Sequence, residues 1–179
     1  MSTFEFVFSL YGLLLGLSLA EVLGGFARAM RGHRAAPVGF QSPLLGLIVM
    51  LDLTAFWLLV WSVRDVLAPN YRTLVVGLLI SGLYYLAATM IFPQEGHDEP
   101  DLDAHYQRNK MKVLGALLLC NLAAYLAVVA VGAAPFDVPK MLHMGGFAAL
   151  VAVLIALRNK AANIVLLCVI CAWYFAAML

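Results

Sequence analysis

The chain has 179 residues, of which 64% are hydrophobic and only 12% charged, with a formal net charge of +1. Surface-to-volume scaling leaves a soluble domain of this length too little interior to hide so much apolar surface. A soluble enzyme, a nucleic-acid binder and a disordered chain are thereby excluded, and an integral membrane protein remains.

A membrane-spanning helix needs roughly 20 mostly apolar residues, because each residue rises about 1.5 Å through a hydrocarbon core about 30 Å thick. Lipid offers the backbone no hydrogen-bond partners, so each long apolar run is expected to be helical. Six runs satisfy this in chain order: 4–29, 43–67, 74–92, 111–131, 139–157 and 161–179. The expected fold is all-α, a compact bundle of six transmembrane helices forming one domain over 1–179. Comparison of the two three-helix halves gives no convincing internal repeat.

No Lys or Arg precedes the first run and Glu5 is acidic, which argues for a retained span and against a cleaved signal peptide. Gly12, Gly16, Ala20 and Gly24 recur at every fourth position, a spacing that places small residues on one helix face and permits close backbone approach. Internal packing is the expected use of that face, with self-association as the other. Glu21 borders it. The second run carries Asp52, followed by Trp57, Trp61 and Arg64 at i, i+4, i+7. That stripe reads as an aromatic belt with a snorkelling arginine. The third run contributes Tyr84 and Tyr85, and the fourth Asn121.

Between the third and fourth runs lies the one long connection, 93–110. Asp98 or Glu99, Pro100, Asp101 and Asp103 mark a helix start there, so the fourth helix is expected to begin outside the membrane and enter it without a break. His97, Asp101 and His105 are spaced by four and four. They are weak candidates for a transition metal, with a solvated polar face as the simpler account, and no metal or other cofactor is expected. His143 precedes Gly145-Gly146 in the fifth run. Only Arg158-Asn-Lys160 separates the last two runs, which predicts a tight hairpin of two helices of near-minimal length. Cys168 and Cys171 form a CxxC pair inside the sixth run, where apolar packing is expected rather than redox chemistry. Trp173 and Tyr174 read as belt residues.

Lys and Arg counted by side set the expected orientation. Arg28, Arg31, Arg34, Arg108, Lys110, Lys112, Arg158 and Lys160 fall on one side, against Arg64, Arg72 and Lys140 on the other. The first side is expected to be cytoplasmic, in a bacterial inner membrane, with both termini outside.

Ionisable groups within a span cost about 2.5–3.5 kcal/mol on insertion scales and mark functional sites by default. Counting inward at about 1.5 Å per residue puts Glu21 roughly 10 Å and Asp52 roughly 13 Å below the cytoplasmic side. Tyr84, Tyr85, Asn121 and Cys168 fall in the same slab. If these faces converge, Glu21 and Asp52 are expected to share a proton or hold a cation jointly, with Asn121 and a tyrosine hydroxyl. The sequence carries no GxSxG, HExxH, P-loop or GxGxxG motif, so familiar soluble catalytic chemistry has no foothold. The leading expectation is a small transporter or channel, proton- or cation-coupled at these acids and homo-oligomeric. The alternative is a non-catalytic accessory or assembly subunit of a larger membrane complex. A lipid-modifying enzyme using Glu21, Asp52 and the tyrosines as acid–base groups stands third.

Overall fold

A computed structural model describes residues 3–31, 39–67, 70–93, 102–133 and 138–176. Arg34 of the charge count, His97, Asp101 and the expected cap at 98–100 lie outside the described residues. The described residues form six helices: α1 (Thr3–Arg31), α2 (Gln41–Ser62), α3 (Tyr71–Thr89), α4 (Leu102–Ala130), α5 (Val138–Ala156) and α6 (Lys160–Ala176). The fold is all-helical, and α1 to α4 are each long and apolar enough to cross a membrane. The apolar parts of α5 and α6 are shorter, Met141–Ala156 and Lys160–Ala176.

Helix ends follow local chemistry. Asn70 opens α3 in an extended conformation and its side chain accepts from the Thr73 amide at 2.9 Å, supplying one of the first turn's orphan donors with a partner. Gly132 closes α4 at φ +71°, while Ala133 N donates to Val128 O and Gly132 N to Val129 O. This is the paired 6→1 and 5→2 pattern that needs a left-handed residue, which glycine adopts without steric cost. Between α5 and α6 the turn is three residues long, and the Asn159 side chain accepts from Ala162 N at 3.2 Å. The expected hairpin is present. The helix α4 begins at Leu102, nine residues ahead of the fourth apolar run, so helix and span are continuous there.

Consecutive helices run antiparallel, while α1 packs parallel to α3, with Tyr11 at Gly77 and Gly25 at Phe92. Both ends of the described chain lie at one end of the bundle, the terminal end, where Phe8 meets Trp57 and Trp61 and His143 meets Trp173. The opposite, hairpin end holds the α5–α6 turn. The buried stripe of α1 is Val7, Tyr11, Leu15, Ser18, Val22 and Gly25, a spacing of three and four that keeps one face inward. This face packs on α3 and α2. The second helix is central, touching α1, α3, α4 and α6. Any polar side chain on its inner face therefore meets donors from several helices at once.

Close helix approach occurs at glycines other than those of the four-residue seam. A methyl group added at Gly77 would run into the Tyr11 ring, and one at Gly25 into Phe92. Of the seam, only Gly12 comes into close contact with another helix, through the Trp57 indole. Gly24 faces Arg28 of its own helix, Gly16 has open space beyond it, and Ala20 is exposed. The expectation of internal packing is thus corrected for Gly16, Ala20 and Gly24. The heptad-like stripe of larger residues one position away wins the core because it buries more apolar area. Gly77→Leu is expected to force α1 from α3 and destabilise the bundle by about 1–3 kcal/mol, the usual cost of overpacking. Thermal unfolding in detergent reads this directly, and Gly82→Leu, with open space beyond its Cα, serves as the near-neutral control.

Candidate functional site

Asp52 sits at the centre of α2 with 1% of its surface exposed. Three other helices supply its hydrogen-bond donors. The Tyr84 hydroxyl of α3 donates to Oδ2 at 2.9 Å. Asn121 Nδ2 of α4 lies 3.0 Å from Oδ1 and 2.9 Å from Oδ2, and the Tyr174 hydroxyl of α6 donates to Oδ1 at 2.6 Å. A carboxylate is acceptor-only, so a set composed wholly of donors matches its ionised form. A protonated Asp52 has one O–H to place, and either tyrosine hydroxyl can turn to accept it. The cluster can therefore hold a negative charge or a proton with a small local rearrangement.

Packing sets the positions of the donors. Phe56, one turn beyond Asp52, packs against the Tyr84 ring at 5.5 Å between centroids. Phe147 of α5 meets the Tyr174 ring edge-on at 5.7 Å. Asn121 also donates to Leu117 O of its own helix at 3.0 Å, which holds its amide toward α2.

Of the residues singled out from sequence, Asp52, Tyr84 and Asn121 come together. Glu21 does not join them. Its carboxylate pairs with Arg28 two turns along α1 at 2.9 Å, on a partly exposed face. No hydrogen bond links the two acids, so the expected carboxylate pair is replaced by one buried acid and one surface ion pair. Tyr85 is 37% exposed and Cys168 is exposed; Tyr85 points away because adjacent residues lie about 100° apart around a helix, so it leaves the face that Tyr84 buries. Glu21→Gln is accordingly expected to change stability by no more than about 1 kcal/mol, the range of exposed ion pairs, as measured by thermal unfolding.

Tyr174 was legible only as a belt residue, yet it makes the shortest bond to Asp52. Trp173 beside it donates through Nε1 to His143 Nε2 at 3.0 Å. Trp57 and Trp61 lie partly exposed, with Arg64 stacked 5.0 Å from the Trp61 ring. His105 is turned to Met90 O at 3.1 Å and to Asn109. Among the described residues no group of three or more His, Cys, Asp or Glu is placed to hold a metal.

A cavity of about 410 Å³ adjoins the cluster. Tyr84 and Asn121 form its inner wall, and it extends past Phe56, Leu59, Ala124, Tyr125 and Val128 to Ser62, Ala133 and His143 at the terminal end. The Tyr125 hydroxyl is buried and has no hydrogen-bond partner among the described residues.

A second polar cluster occupies the hairpin end. Lys110, counted from sequence among the cations of the side expected to be cytoplasmic, is 4% exposed. Its Nζ donates to Leu154 O at 3.1 Å, to Leu157 O, and to Asn163 Oδ1 at 3.3 Å. Asn163 Oδ1 also accepts from the Tyr106 hydroxyl at 3.1 Å. The ammonium thus caps the C-terminal carbonyls of α5, where the helix dipole favours a cation. This cluster locks α4 to the α5–α6 hairpin, and its inward turn removes one cation from the orientation count.

No family model, curated protein or solved structure matches the chain.

Proposed function

We propose that the protein is a small membrane transporter or channel in which Asp52 is the proton- or cation-coupling group. The observation that carries this reading is the cavity ending on Tyr84 and Asn121, two of the three residues that donate to a fully buried carboxylate. A buried acid that only held helices together would need no opening beside it, whereas a coupling acid needs a path for its ion. Glu21, engaged by Arg28, has no part in the coupling step.

The mechanism follows from the donor set. With Asp52 ionised, all three donors point at it. A proton or cation arriving through the cavity draws the tyrosine or asparagine group away and is held by the carboxylate instead. The reading takes all six helices as spans, with α5 and α6 at near-minimal length. The terminal end then faces outward and the basic hairpin end faces the cytoplasm, as in a bacterial inner membrane. The outward small-residue face of α1 is the contact for a homo-oligomer.

Reconstitution into vesicles loaded with a pH-sensitive dye tests the reading. The wild-type chain should dissipate an imposed proton or cation gradient. Asp52→Asn should reduce the rate at least tenfold (about 1.4 kcal/mol in the barrier), with Glu21→Gln close to wild type. Equal rates for wild type, Asp52→Asn and empty vesicles overturn it.

The reading as an accessory subunit of a larger membrane complex is favoured by one feature, the complete set of internal donors on Asp52. It predicts copurification with a different polypeptide and no flux by the isolated chain.

A further inference from the structure

The groups that line the cavity have spent their donors elsewhere, and this selects what the cavity holds. Asn121 Nδ2 is used by Asp52 and Leu117 O, which leaves its Oδ1 as an acceptor. The Tyr84 hydroxyl hydrogen is used by Asp52, leaving oxygen lone pairs. Ser62 Oγ donates to Leu59 O at 2.7 Å, so it too presents lone pairs. The Tyr125 hydroxyl is buried without a partner and can donate or accept. His143 Nε2 accepts from Trp173, which leaves Nδ1 as the single ring donor, at the mouth. Among the described residues the lining carries no Lys or Arg, and the Asp52 carboxylate lies directly behind the inner wall. The walls between these groups are Phe56, Leu59, Ala124, Val128 and Met144, with the rings of Tyr84 and Tyr125.

An acceptor-rich, aromatic, negatively biased chamber complements a ligand that brings N–H donors, a positive charge and apolar bulk. A few convergent polar groups in a mainly apolar cavity of several hundred Å³ are the usual make-up of a small-molecule site, and ring faces attract a cation further. A bare metal ion would find too few oxygen ligands at one point. An anion would meet the field of Asp52 with no Lys or Arg among the described lining residues to offset it. We infer that the cavity binds a small amphipathic primary ammonium ion, its head toward Asn121, Tyr84 and Asp52 and its apolar part along Phe56 and Val128. This rests on the reading of Asp52 as the coupling group and names the substrate class it would serve.

Benzylammonium is the probe, with benzyl alcohol and benzoate as its neutral and anionic counterparts. Binding to the purified full chain in lipid nanodiscs is followed by calorimetry and by tryptophan fluorescence, to which Trp173 beside His143 contributes. Saturable benzylammonium binding is expected, with benzyl alcohol and benzoate weaker by at least about tenfold. Asp52→Asn should weaken benzylammonium by about tenfold or more and leave benzyl alcohol little changed. Ala55→Phe fills the cavity from an exposed position, leaves the Asp52 bonds intact, and should abolish binding of all three probes. It also keeps the test decisive if Asp52→Asn fails to fold. Equal affinity for benzylammonium and benzyl alcohol, unchanged affinity in Ala55→Phe, or no saturable binding overturns the inference. Should proton flux remain Asp52-dependent in any of these cases, the coupling reading stands without the amine site. Loss of flux dependence with ammonium binding intact removes the coupling reading instead.

Discussion

Asp52→Ala is expected to destabilise the bundle by about 2–4 kcal/mol, the largest effect of any single polar substitution in its core. Three donors from three helices lose their acceptor at once: Tyr84, Asn121 and Tyr174. Interhelical hydrogen bonds in membrane proteins average about 0.6 kcal/mol and reach about 1.7. An orphaned buried donor costs about 1–3 kcal/mol. Opposing these losses is relief from keeping a carboxylate in an apolar interior. Because the donors cannot all find water, the losses win. Asp52→Asn keeps one acceptor oxygen but sets an NH2 group against donors, so about half the cost is expected. Tyr174→Phe and Tyr84→Phe should each cost about 1 kcal/mol in the wild type and markedly less in the Asp52→Ala background, since neighbours in one network are not additive. Chemical unfolding in detergent measures all four. Additive effects would mean that the donors are not engaged with Asp52.

Lys110→Met should loosen the hairpin end by about 2–3 kcal/mol. The ammonium satisfies two carbonyls at the end of α5 and Asn163 Oδ1, and hydrogen bonds to charged groups are worth about 1.5–3 kcal/mol. Methionine fills the same volume, so the loss is of polar satisfaction rather than of packing. Local opening is the expected form of the loss, because the α5–α6 hairpin is tied to α4 here. Trypsin cleavage at Arg158 in the turn and at Lys160 at the start of α6, both exposed, should accelerate in Lys110→Met at temperatures where the rest of the bundle stays folded. Asn163→Ala should give a weaker version. Unchanged cleavage in Lys110→Met would show that the cap holds nothing in place.

Six helices and their order were legible because long apolar runs in lipid have few alternatives to helix. Depth counting from the ends also brought Asp52, Tyr84 and Asn121 to one level. It missed Tyr174, fourteen residues and about 21 Å along α6 from its start at Lys160 by the 1.5 Å rise. Helical side chains lean toward the N-terminus, so the long tyrosine side chain reaches back toward Asp52 from a position that looks interfacial. The same count placed Glu21 beside Asp52, but level does not fix azimuth. Arg28, two turns farther along the same face of α1, captures Glu21 instead. A search at i, i+7 would have found that pair, but Arg28 was weighed only as a charge in the count by side. Lys110 escaped for a related reason: charge counting treats every lysine as bound for the headgroups. One at a bundle end can instead turn inward where unpaired helix carbonyls await it. The small-residue seam at Gly12, Gly16, Ala20 and Gly24 shows the limit of spacing alone, since a face is defined without its partner.

Sided thiol labelling tests most directly whether solvent reaches the buried acid. In a background with Cys120, Cys168 and Cys171 replaced by Ala, Ala55→Cys puts a thiol on the cavity wall one turn beyond Asp52. Leu58→Cys puts one on an exposed apolar face of the same helix as the control. A membrane-impermeant maleimide applied to sealed, oriented vesicles should modify Ala55→Cys from the terminal side alone, and Leu58→Cys slowly from either side. Reaction of Ala55→Cys as slow as that of the control, or only from the hairpin side, would contradict an aqueous approach to Asp52 and with it the coupling role.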